Sequence, residues 1–541
     1  MTKHSNLVWV VALLLGWAFD FLFWGKPLGI NFAIFFTACL VGGGLVLFTN
    51  GVKPSIKSLA FLLLFAFFGV ISMVRQEPMS LAFGIAGVLL SLGLLTATYQ
   101  GGSWVRYRLR DYFKDFFRLL GNLVILPLGF IWQNKPDTSW VKRFPLKPVS
   151  RGVLIAIPLL IFFTLLLGSG DLVFRSRIND FLDQINLGRV PEYILRLLVI
   201  ILVAYLLTAA FLYAGLKSED RQQLSDGEQI IKRRLGFIEA AIVLGSVSLL
   251  FMIFVIIQFR YFFGGEVNIG VEGYTYSEYA RSGFTQLIIV ACASLLMILG
   301  LGMYTWRETI WQKWAYSGLS VWLALLVMVI LVSAYQRLML AIDWHGFSRL
   351  RVFPRVFLVW VGVLFAAIIV LEVLRRERHF ALAVMLSSFG FAITICSMNV
   401  DGAIVQHNVY RTIEDKHFNV NYLTTLSTDA VPLLEAAYND PALPQVTHEG
   451  VGAALVCYLQ ADWYKDYASI DWRGFNFSHW AAINALNRIG PHLQDYKVIT
   501  NMRGYVWENY AVETPSHDRS YACDQVFFKE LPPLPTTSGS P

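Results

Sequence analysis

Charged side chains are scarce in this 541-residue chain, where Asp, Glu, Lys and Arg together make up only 15% of the residues. An ordinary soluble globular domain carries about 25%. Apolar residues make up 56%. They gather in runs of ~17–25 residues, the length that a helix needs to cross a ~30 Å hydrocarbon layer. This composition excludes a soluble multidomain enzyme and a disordered protein, and it predicts an all-α polytopic membrane protein.

Cysteine is also rare, with five in the chain, which excludes a secreted disulfide scaffold. Cys39, Cys292 and Cys396 lie in apolar runs, where cysteine behaves as a small hydrophobic residue. Cys457 and Cys523 stand apart in the C-terminal region, and we predict a disulfide between them if that region lies in an oxidising compartment. Two unpaired thiols are the alternative, because spacing along the chain does not fix the distance between two residues.

Familiar catalytic signatures are missing: the sequence has no Walker loop and no HExxH, GxSxG or CxxC motif. Six of the nine histidines follow residue 399, but their spacing fits no metal-ligand pattern. We therefore expect neither a metal nor another cofactor. The basic residues lie in short loops between apolar runs, so nucleic acid is not an expected partner.

Eleven apolar runs are long enough to be transmembrane helices. They lie at 7–24, 28–48, 57–74, 79–98, 152–169, 192–214, 236–260, 284–305, 318–340, 353–374 and 380–398. A further run, 116–132, is short, is interrupted by Gly121, Pro127 and Gly129, and has basic residues on both flanks. We interpret it as an interfacial or re-entrant helix on the inner face. A spanning helix is the alternative, and it would move the C-terminal region to the other side of the membrane.

The chain divides into five parts by composition. They are a four-span segment at 1–98, a basic cytoplasmic linker at 99–151, a seven-span core at 152–398, a soluble, mostly helical domain at 399–530 and a disordered tail at 531–541. Residues 399–541 hold 9 Lys and Arg against 16 Asp and Glu, a net charge of −7, so the first 398 residues carry +14. In the soluble part, Ser478 is expected to cap the helix that carries Trp480.

Loop charge predicts the orientation, because cytoplasmic loops are enriched in Lys and Arg. Basic residues crowd the loops at 99–151 and 215–235 and follow the tenth span at Arg375, Arg376 and Arg378. Together these loops place the N-terminus in the cytoplasm and the C-terminal domain outside.

One cluster disagrees with this orientation. Arg349, Arg351 and Arg355 would face outward. We predict that they neutralise lipid phosphates or dock the acidic C-terminal domain.

Ionisable residues inside spans are functional candidates, because a charge in hydrocarbon is costly. Asp20 lies in the outer part of the first span, and Arg260 and Arg337 lie near the outer ends of the seventh and ninth. The hypothesis is an ion pair between Asp20 and one of these arginines. The favoured alternative is that all three separately reach interfacial water.

An aromatic and acidic stretch at 461–480 suggests a second candidate site. Asp462, Trp463, Asp466 and Asp471 would form a glycan site, in which rings stack on sugars and carboxylates activate a hydroxyl. We favour the alternative that these rings pack on their neighbours, since aromatic residues serve mostly in burial.

Several stretches together resemble a known family. They are GVEGYTYSEYARSGFTQL at 270–287, HGFSRLRVFPRVF at 345–357, MNVDGAIVQHNVYR at 398–411, LTTLSTDAVPLL at 423–434 and DWRGFNFSHWAA at 471–482. In this order they are similar to a bacterial multi-pass membrane family known only as a domain of unknown function, DUF4153, over roughly 150–490. The resemblance implies a protein of the bacterial cytoplasmic membrane with a soluble C-terminal part. It implies no activity and no catalytic residue.

The sequence therefore predicts a membrane protein whose partners are the lipid bilayer and an envelope protein that meets the C-terminal domain. We interpret it as a non-enzymatic envelope sensor, accessory or scaffold protein. The first alternative is a membrane-embedded transferase that acts on lipid-linked or glycan substrates at the outer face. The second is a transporter, which the shortage of polar residues in the middle of the spans disfavours.

Overall fold

The computed structural model describes residues 5–101, 104–107, 109–133, 190–218, 235–263, 284–414, 419–465, 471–502 and 508–523. The predicted span at 152–169, the tail at 531–541 and most of the stretch at 270–287 lie outside the described residues. Within the described part, the prediction of an all-α polytopic membrane protein is confirmed: nine helices are long and apolar enough to cross a membrane.

Eleven helices form the membrane part of the described chain. They are α1 (Ser5–Phe23), α2 (Ile30–Thr49), α3 (Ala60–Val74), α4 (Pro78–Thr98), α5 (Leu109–Gln133), α6 (Val190–Leu216), α7 (Phe237–Phe263), α8 (Phe284–Tyr304), α9 (Ile310–His345), α10 (Arg349–Val373) and α11 (Phe380–Ser397). All except α3 and α5 are among the nine candidate spans, and α3 is a shorter apolar helix. Ten of the eleven predicted spans therefore correspond to apolar helices in the structure.

Short turns connect several of these helices and define two ends of the bundle. The turns at 24–29, 75–77 and 346–348, together with the end of α11, lie at one end, which we call the domain face. The opposite end, which holds the start of α1, is the N-terminal face. There the hydroxyl of Ser58 donates a 2.6 Å hydrogen bond to the carbonyl of Thr98, joining the start of α3 to the end of α4. Ser317 likewise donates to Glu372 at 2.7 Å, joining the start of α9 to the end of α10.

Helix α5 begins and ends near the N-terminal face. Near its start the hydroxyl of Tyr112 donates to the carbonyl of Trp104, and near its end the ring of Phe130 lies 6.0 Å from that of Trp9 in the first turns of α1. One side of α5 exposes a stripe of large apolar residues. The stripe consists of Phe113, Phe116, Phe117, Leu120, Val124 and Leu128. An interfacial helix requires such a stripe, and the interfacial placement of 116–132 stays a prediction.

The C-terminal region adds six helices and a small sheet. The helices are α12 (Val400–Tyr410), α13 (Val420–Thr424), α14 (Val431–Tyr438), α15 (Gln445–Gln460), α16 (Asp462–Lys465) and α17 (Phe477–Ile489). The strands are β1 (Lys497–Met502), β2 (Glu508–Glu513) and β3 (Ser520–Ala522), paired antiparallel in the order β1-β2-β3. The sequence analysis expected a mostly helical domain and missed this sheet, because β1 has no clean alternation: Val498 and Ile499 are adjacent, and both are exposed.

The cap of α17 differs from the expected one. Asn476, not Ser478, is the N-cap residue, and its side chain accepts hydrogen bonds from the backbone N–H groups of Ser478 and His479. Asn and Ser are similarly favoured at N-caps, so composition alone did not distinguish the two positions. The Ser478 hydroxyl instead lies 2.7 Å from the hydroxyl of Thr428.

One hydrophobic cluster continues from the membrane helices into the C-terminal domain. Val352 and Val356 of α10 and Ile395 of α11 belong to the same cluster of buried side chains as Leu423, Leu434, Val451 and Leu486 of the domain. The domain therefore shares a core with the membrane helices, so separating the two would expose apolar surface to water.

Cys457 of α15 and Cys523, which follows β3, are joined by a disulfide with a Cα–Cα distance of 5.5 Å. Both residues are buried, and the bond ties the end of the sheet to α15. Among the described residues, the other cysteines, Cys39, Cys292 and Cys396, are free thiols.

We predict that replacing both Cys457 and Cys523 by Ala lowers the stability of the C-terminal domain by about 2–5 kcal/mol, because the bond closes a long loop and restricts the unfolded chain. Limited proteolysis of the purified full chain measures this effect as faster cleavage in the domain. Cys292→Ala is the control and should leave the cleavage rate unchanged. Equal cleavage of the double variant and the wild type would contradict the prediction.

Candidate functional site at the membrane–domain junction

A buried ion pair joins α10 to the C-terminal domain. Arg349, the first residue of α10, donates from Nε to Oδ1 of Asp401 at 2.8 Å and from Nη2 to Oδ2 at 2.5 Å. Asp401 lies in the first turn of α12 and is fully buried. Its Oδ2 also accepts a 2.7 Å hydrogen bond from the backbone N–H of Ser427. A bidentate arginine pair satisfies a buried carboxylate in a fixed geometry.

The turn between α9 and α10 lies against α12. The side-chain amide of Asn408 accepts from the N–H of Phe347 at 2.7 Å and donates to its carbonyl at 2.8 Å. The imidazole of His407 stacks on the Phe347 ring with 3.9 Å between centroids. Arg411 donates to the carbonyl of Asp343 at the end of α9. The last turn of α12 and Arg411, which directly follows it, therefore hold this turn through its backbone as well as its side chains.

Gly346 is required in this turn for two reasons. Its φ of +76° is unfavourable for residues with a side chain. A Cβ atom at this position would also lie 2.4 Å from Oδ1 of Asn408 and 2.6 Å from Nη1 of Arg411. The turn and α12 approach each other too closely to admit even an alanine.

A second contact places carboxylates at the N-terminus of α4. Asp429 accepts 2.9 Å hydrogen bonds from the backbone N–H groups of both Gln76 and Glu77. Glu77 itself caps α4 by accepting from Met79 N and Ser80 N. Negative charge is favourable at a helix N-terminus, where backbone N–H groups lack partners within the helix. The domain thus supplies one of the two carboxylates that satisfy the start of a membrane helix.

A third contact joins the domain to the turn between α1 and α2. The carbonyl of Phe475 accepts a 2.8 Å hydrogen bond from Ile30 N, and Arg473 donates to the carbonyl of Phe21 at 2.5 Å. Asp471 binds Arg473 and lies 3.1 Å from Nζ of Lys26. The hydrogen bonds from Arg473 hold the pKa of Asp471 well below its usual range, so this carboxylate stays charged in mildly acidic solution.

Asp20 is paired, but with an arginine that neither the ion-pair hypothesis nor the favoured alternative named. Arg196 of α6 binds both oxygens of the Asp20 carboxylate, donating from Nε at 3.0 Å and from Nη2 at 2.5 Å. The reason is packing: α6 is the direct neighbour of α1, which the order of spans along the chain does not reveal. Arg337 lies on α9, and the side chain of Arg260 lies outside the described residues.

Arg349, Arg351 and Arg355 at the domain face have separate contacts. Arg349 docks the domain through Asp401. Arg351 donates to the carbonyl of Gly346 at 3.0 Å, and Arg355 donates to the hydroxyl of Tyr335 at 3.3 Å, so both have partners in the membrane part. The structure therefore supplies a protein contact for each of these cations.

Two residues of the candidate glycan site, Trp463 and Asp471, have described side chains, and these two have different partners. Trp463 packs in the domain, with its ring 5.4 Å from that of His479 and 6.4 Å from that of Tyr458. Asp471 binds Arg473 at the junction. Asp466 and the side chain of Asp462 lie outside the described residues. The described part of the chain has no group of three or more His, Cys, Asp or Glu side chains that could hold a metal ion.

The junction collects residues from four of the five stretches that carry the family resemblance. They are Gly346, Phe347 and Arg349 from 345–357, Asp401 and Asn408 from 398–411, Ser427 and Asp429 from 423–434, and Asp471, Arg473 and Phe475 from 471–482. Sequence reasoning quoted these stretches but assigned none of Asp401, Asn408 or Asp429. The available signal was Asp401, an acidic residue directly after the last span, at the same end of the bundle as the basic cluster that begins at Arg349.

Comparison with known proteins gives one match. The model of a family described as a domain of unknown function (DUF4153) matches residues 35–437. This range contains the Arg349–Asp401 pair and Asp429, begins earlier than the expected resemblance and ends before the stretch at 471–482. No curated protein and no solved structure matches the chain.

We predict that Arg349→Met destabilises the docked domain by about 3–5 kcal/mol, because Asp401 would be left buried without its cation. The double variant Arg349→Met/Asp401→Leu should lose less than the single variant, since it leaves no unpaired charge. Thermal unfolding of the purified chain measures both. Arg488→Met removes a mostly exposed partner of Glu435 and is the matched control, with no expected change. Equal losses in the single and double variants would contradict this account.

Proposed function

This chain belongs to the DUF4153 family of domains of unknown function, and we propose that it is a scaffold of the bacterial cytoplasmic membrane that holds its C-terminal domain in a fixed position outside the cell membrane. In this role the protein is a non-enzymatic envelope sensor or accessory protein, and the domain meets an envelope protein partner. The family description assigns no activity, so the proposal depends on the geometry of the junction.

The observation that carries the proposal is the way the domain is attached. It is bound to three different turns of the membrane part, through Asp401, Asp429 and Phe475. It also shares a hydrophobic cluster with α10 and α11. A domain on a flexible linker would need no such contacts. Fixed attachment is what a protein requires if it presents one surface to a partner at a set distance from the membrane.

Helix directions and charge support the outward position. The domain contacts the start of α10, whereas the basic turn at Arg375 and Arg376 follows the end of α10 and therefore lies at the N-terminal face. Basic residues favour the cytoplasmic side. The arginines at the domain face are occupied by protein partners, so they do not contradict this rule. A disulfide within the domain is also typical of a compartment outside the cytoplasm.

Orientation can be tested in whole cells by cysteine labelling with a membrane-impermeant maleimide. Val446→Cys in the domain should react in intact spheroplasts, and Lys313→Cys at the start of α9 should react only after the membrane is permeabilised. The wild type measures the background from Cys292. Labelling of Lys313→Cys but not of Val446→Cys in intact spheroplasts would place the domain in the cytoplasm and contradict the proposal.

The scaffold role predicts a stoichiometric protein partner that depends on docking. We expect a protein to be cross-linked to the wild type in cells and extracted with it in mild detergent. Arg349→Met should lose that protein, and Arg488→Met should retain it. Membranes that instead yield a bound lipid-linked substrate, converted by the purified chain and with no stoichiometric protein, would favour the transferase.

A further inference from the structure

The C-terminal domain exposes three large aromatic side chains next to the membrane helices. Trp472 is 58% exposed, Phe477 is 45% exposed and Trp480 is 48% exposed. Trp472 opens the 3₁₀ turn Trp472–Gly474, and the other two lie in the first turn of α17. Several exposed aromatic residues in one short stretch indicate a contact surface, because exposing apolar area to water is unfavourable.

The backbone of this stretch lies at the level where the membrane helices end. Phe475 accepts from Ile30 N at the start of α2, and Arg473 reaches the carbonyl of Phe21 in the last turn of α1. The guanidinium of Arg473 also lies 4.7 Å from the centre of the Phe21 ring. Phe21 is itself 43% exposed on the outside of α1. The aromatic stretch therefore continues directly from a lipid-facing helix surface.

Tryptophans on the membrane helices indicate where the lipid headgroups lie. Trp314 and Trp344 are both exposed near opposite ends of α9. Thirty residues separate them, or about 45 Å at a rise of ~1.5 Å per residue. This distance matches the thickness of a bilayer with its headgroup regions, where tryptophan is enriched. At the domain face Trp24 lies at the corresponding end of α1, within the same turn that Phe475 contacts.

The exposed side of α17 changes character along its length. Phe477 and Trp480 stand at the end beside the membrane helices, and Asn487 and Arg488 are exposed two turns later. This change from apolar to polar along one helix is expected of an element that begins in the headgroup layer and continues into water.

We propose that Trp472, Phe477 and Trp480 are a lipid-contacting edge of the C-terminal domain, seated in the headgroup layer of the leaflet at the domain face. The occupant is the bilayer, because the edge is continuous with the lipid-facing surface of α1 and lies at the level of Trp24. The domain is then held in two ways, by the ion pairs at the junction and by lipid at its lipid-contacting edge. This inference requires only that the helices span a bilayer, and it holds whichever compartment the domain faces.

The test is a nitroxide spin label on the full-length protein, in a Cys292→Ser background. The protein is reconstituted in vesicles of phosphatidylethanolamine and phosphatidylglycerol. Labels are placed at Trp480→Cys and, in a second variant, at Phe477→Cys. Collision rates with oxygen, which concentrates in lipid, and with a water-soluble nickel complex report the surroundings of each label. Leu14→Cys, on a residue 60% exposed in the middle of α1, is the lipid reference.

Val446→Cys is the matched control. Val446 is 48% exposed, as Trp480 is, but it lies on α15 and is not part of the aromatic stretch. The proposal predicts that the labels at 480 and 477 favour oxygen over nickel relative to the label at 446, in the direction of the label at 14. A water-like ratio equal to that of the control would overturn it. Exclusion of both reagents would also overturn it, because the edge would then be covered by protein, such as a second copy of the chain.

Discussion

The carboxylate of Asp401 is completely buried, and the position of the C-terminal domain depends on the cation that satisfies it. A buried charge is tolerated only when it is paired and hydrogen-bonded, and Asp401 meets this condition through Arg349 and Ser427. Arg349 is the first residue of α10. Asp401 lies in the first turn of α12, where the domain begins, and Ser427 lies further along the domain. One ion pair and the hydrogen bond beside it therefore tie together three segments that are distant in sequence. Removal of Arg349 leaves the buried carboxylate of Asp401 without its cation.

Other side chains of the domain likewise satisfy polar groups of the membrane part around the junction. Asp429 satisfies backbone groups at the start of α4, and Asn408 satisfies those of the turn at Phe347. In each case the domain completes hydrogen bonds that the membrane part leaves open. Helix ends and turns at a membrane surface have such unsatisfied groups, and water would serve them equally well. The use of side chains from the domain makes the contact specific to one orientation.

Much of the membrane architecture was predictable from sequence, because a continuous apolar run has few other stable structures. The apolar helices α1 to α4 and α6 to α11 correspond to predicted spans. The sequence did not reveal which helices are neighbours, and this is why neither the ion-pair hypothesis nor the favoured alternative for Asp20 named Arg196 of α6, which binds it. Pairing between distant segments is a property of packing, and no local pattern encodes it. The small sheet was missed for a different reason, since its first strand lacks a clean alternation of apolar and polar residues.

The central claim is that the turn between α9 and α10 is held by α12, and a cysteine cross-link tests it directly. Phe347→Cys and His407→Cys replace two rings that stack at 3.9 Å, and a protease site between α10 and α11 separates the two positions. After oxidation in native membranes and cleavage, the fragments should remain joined until a reductant is added. Phe347→Cys with His448→Cys, a histidine that stacks on Tyr438 elsewhere in the domain, should give separate fragments. Fragments that separate without reductant in the first variant, or remain joined equally in both, would contradict the account.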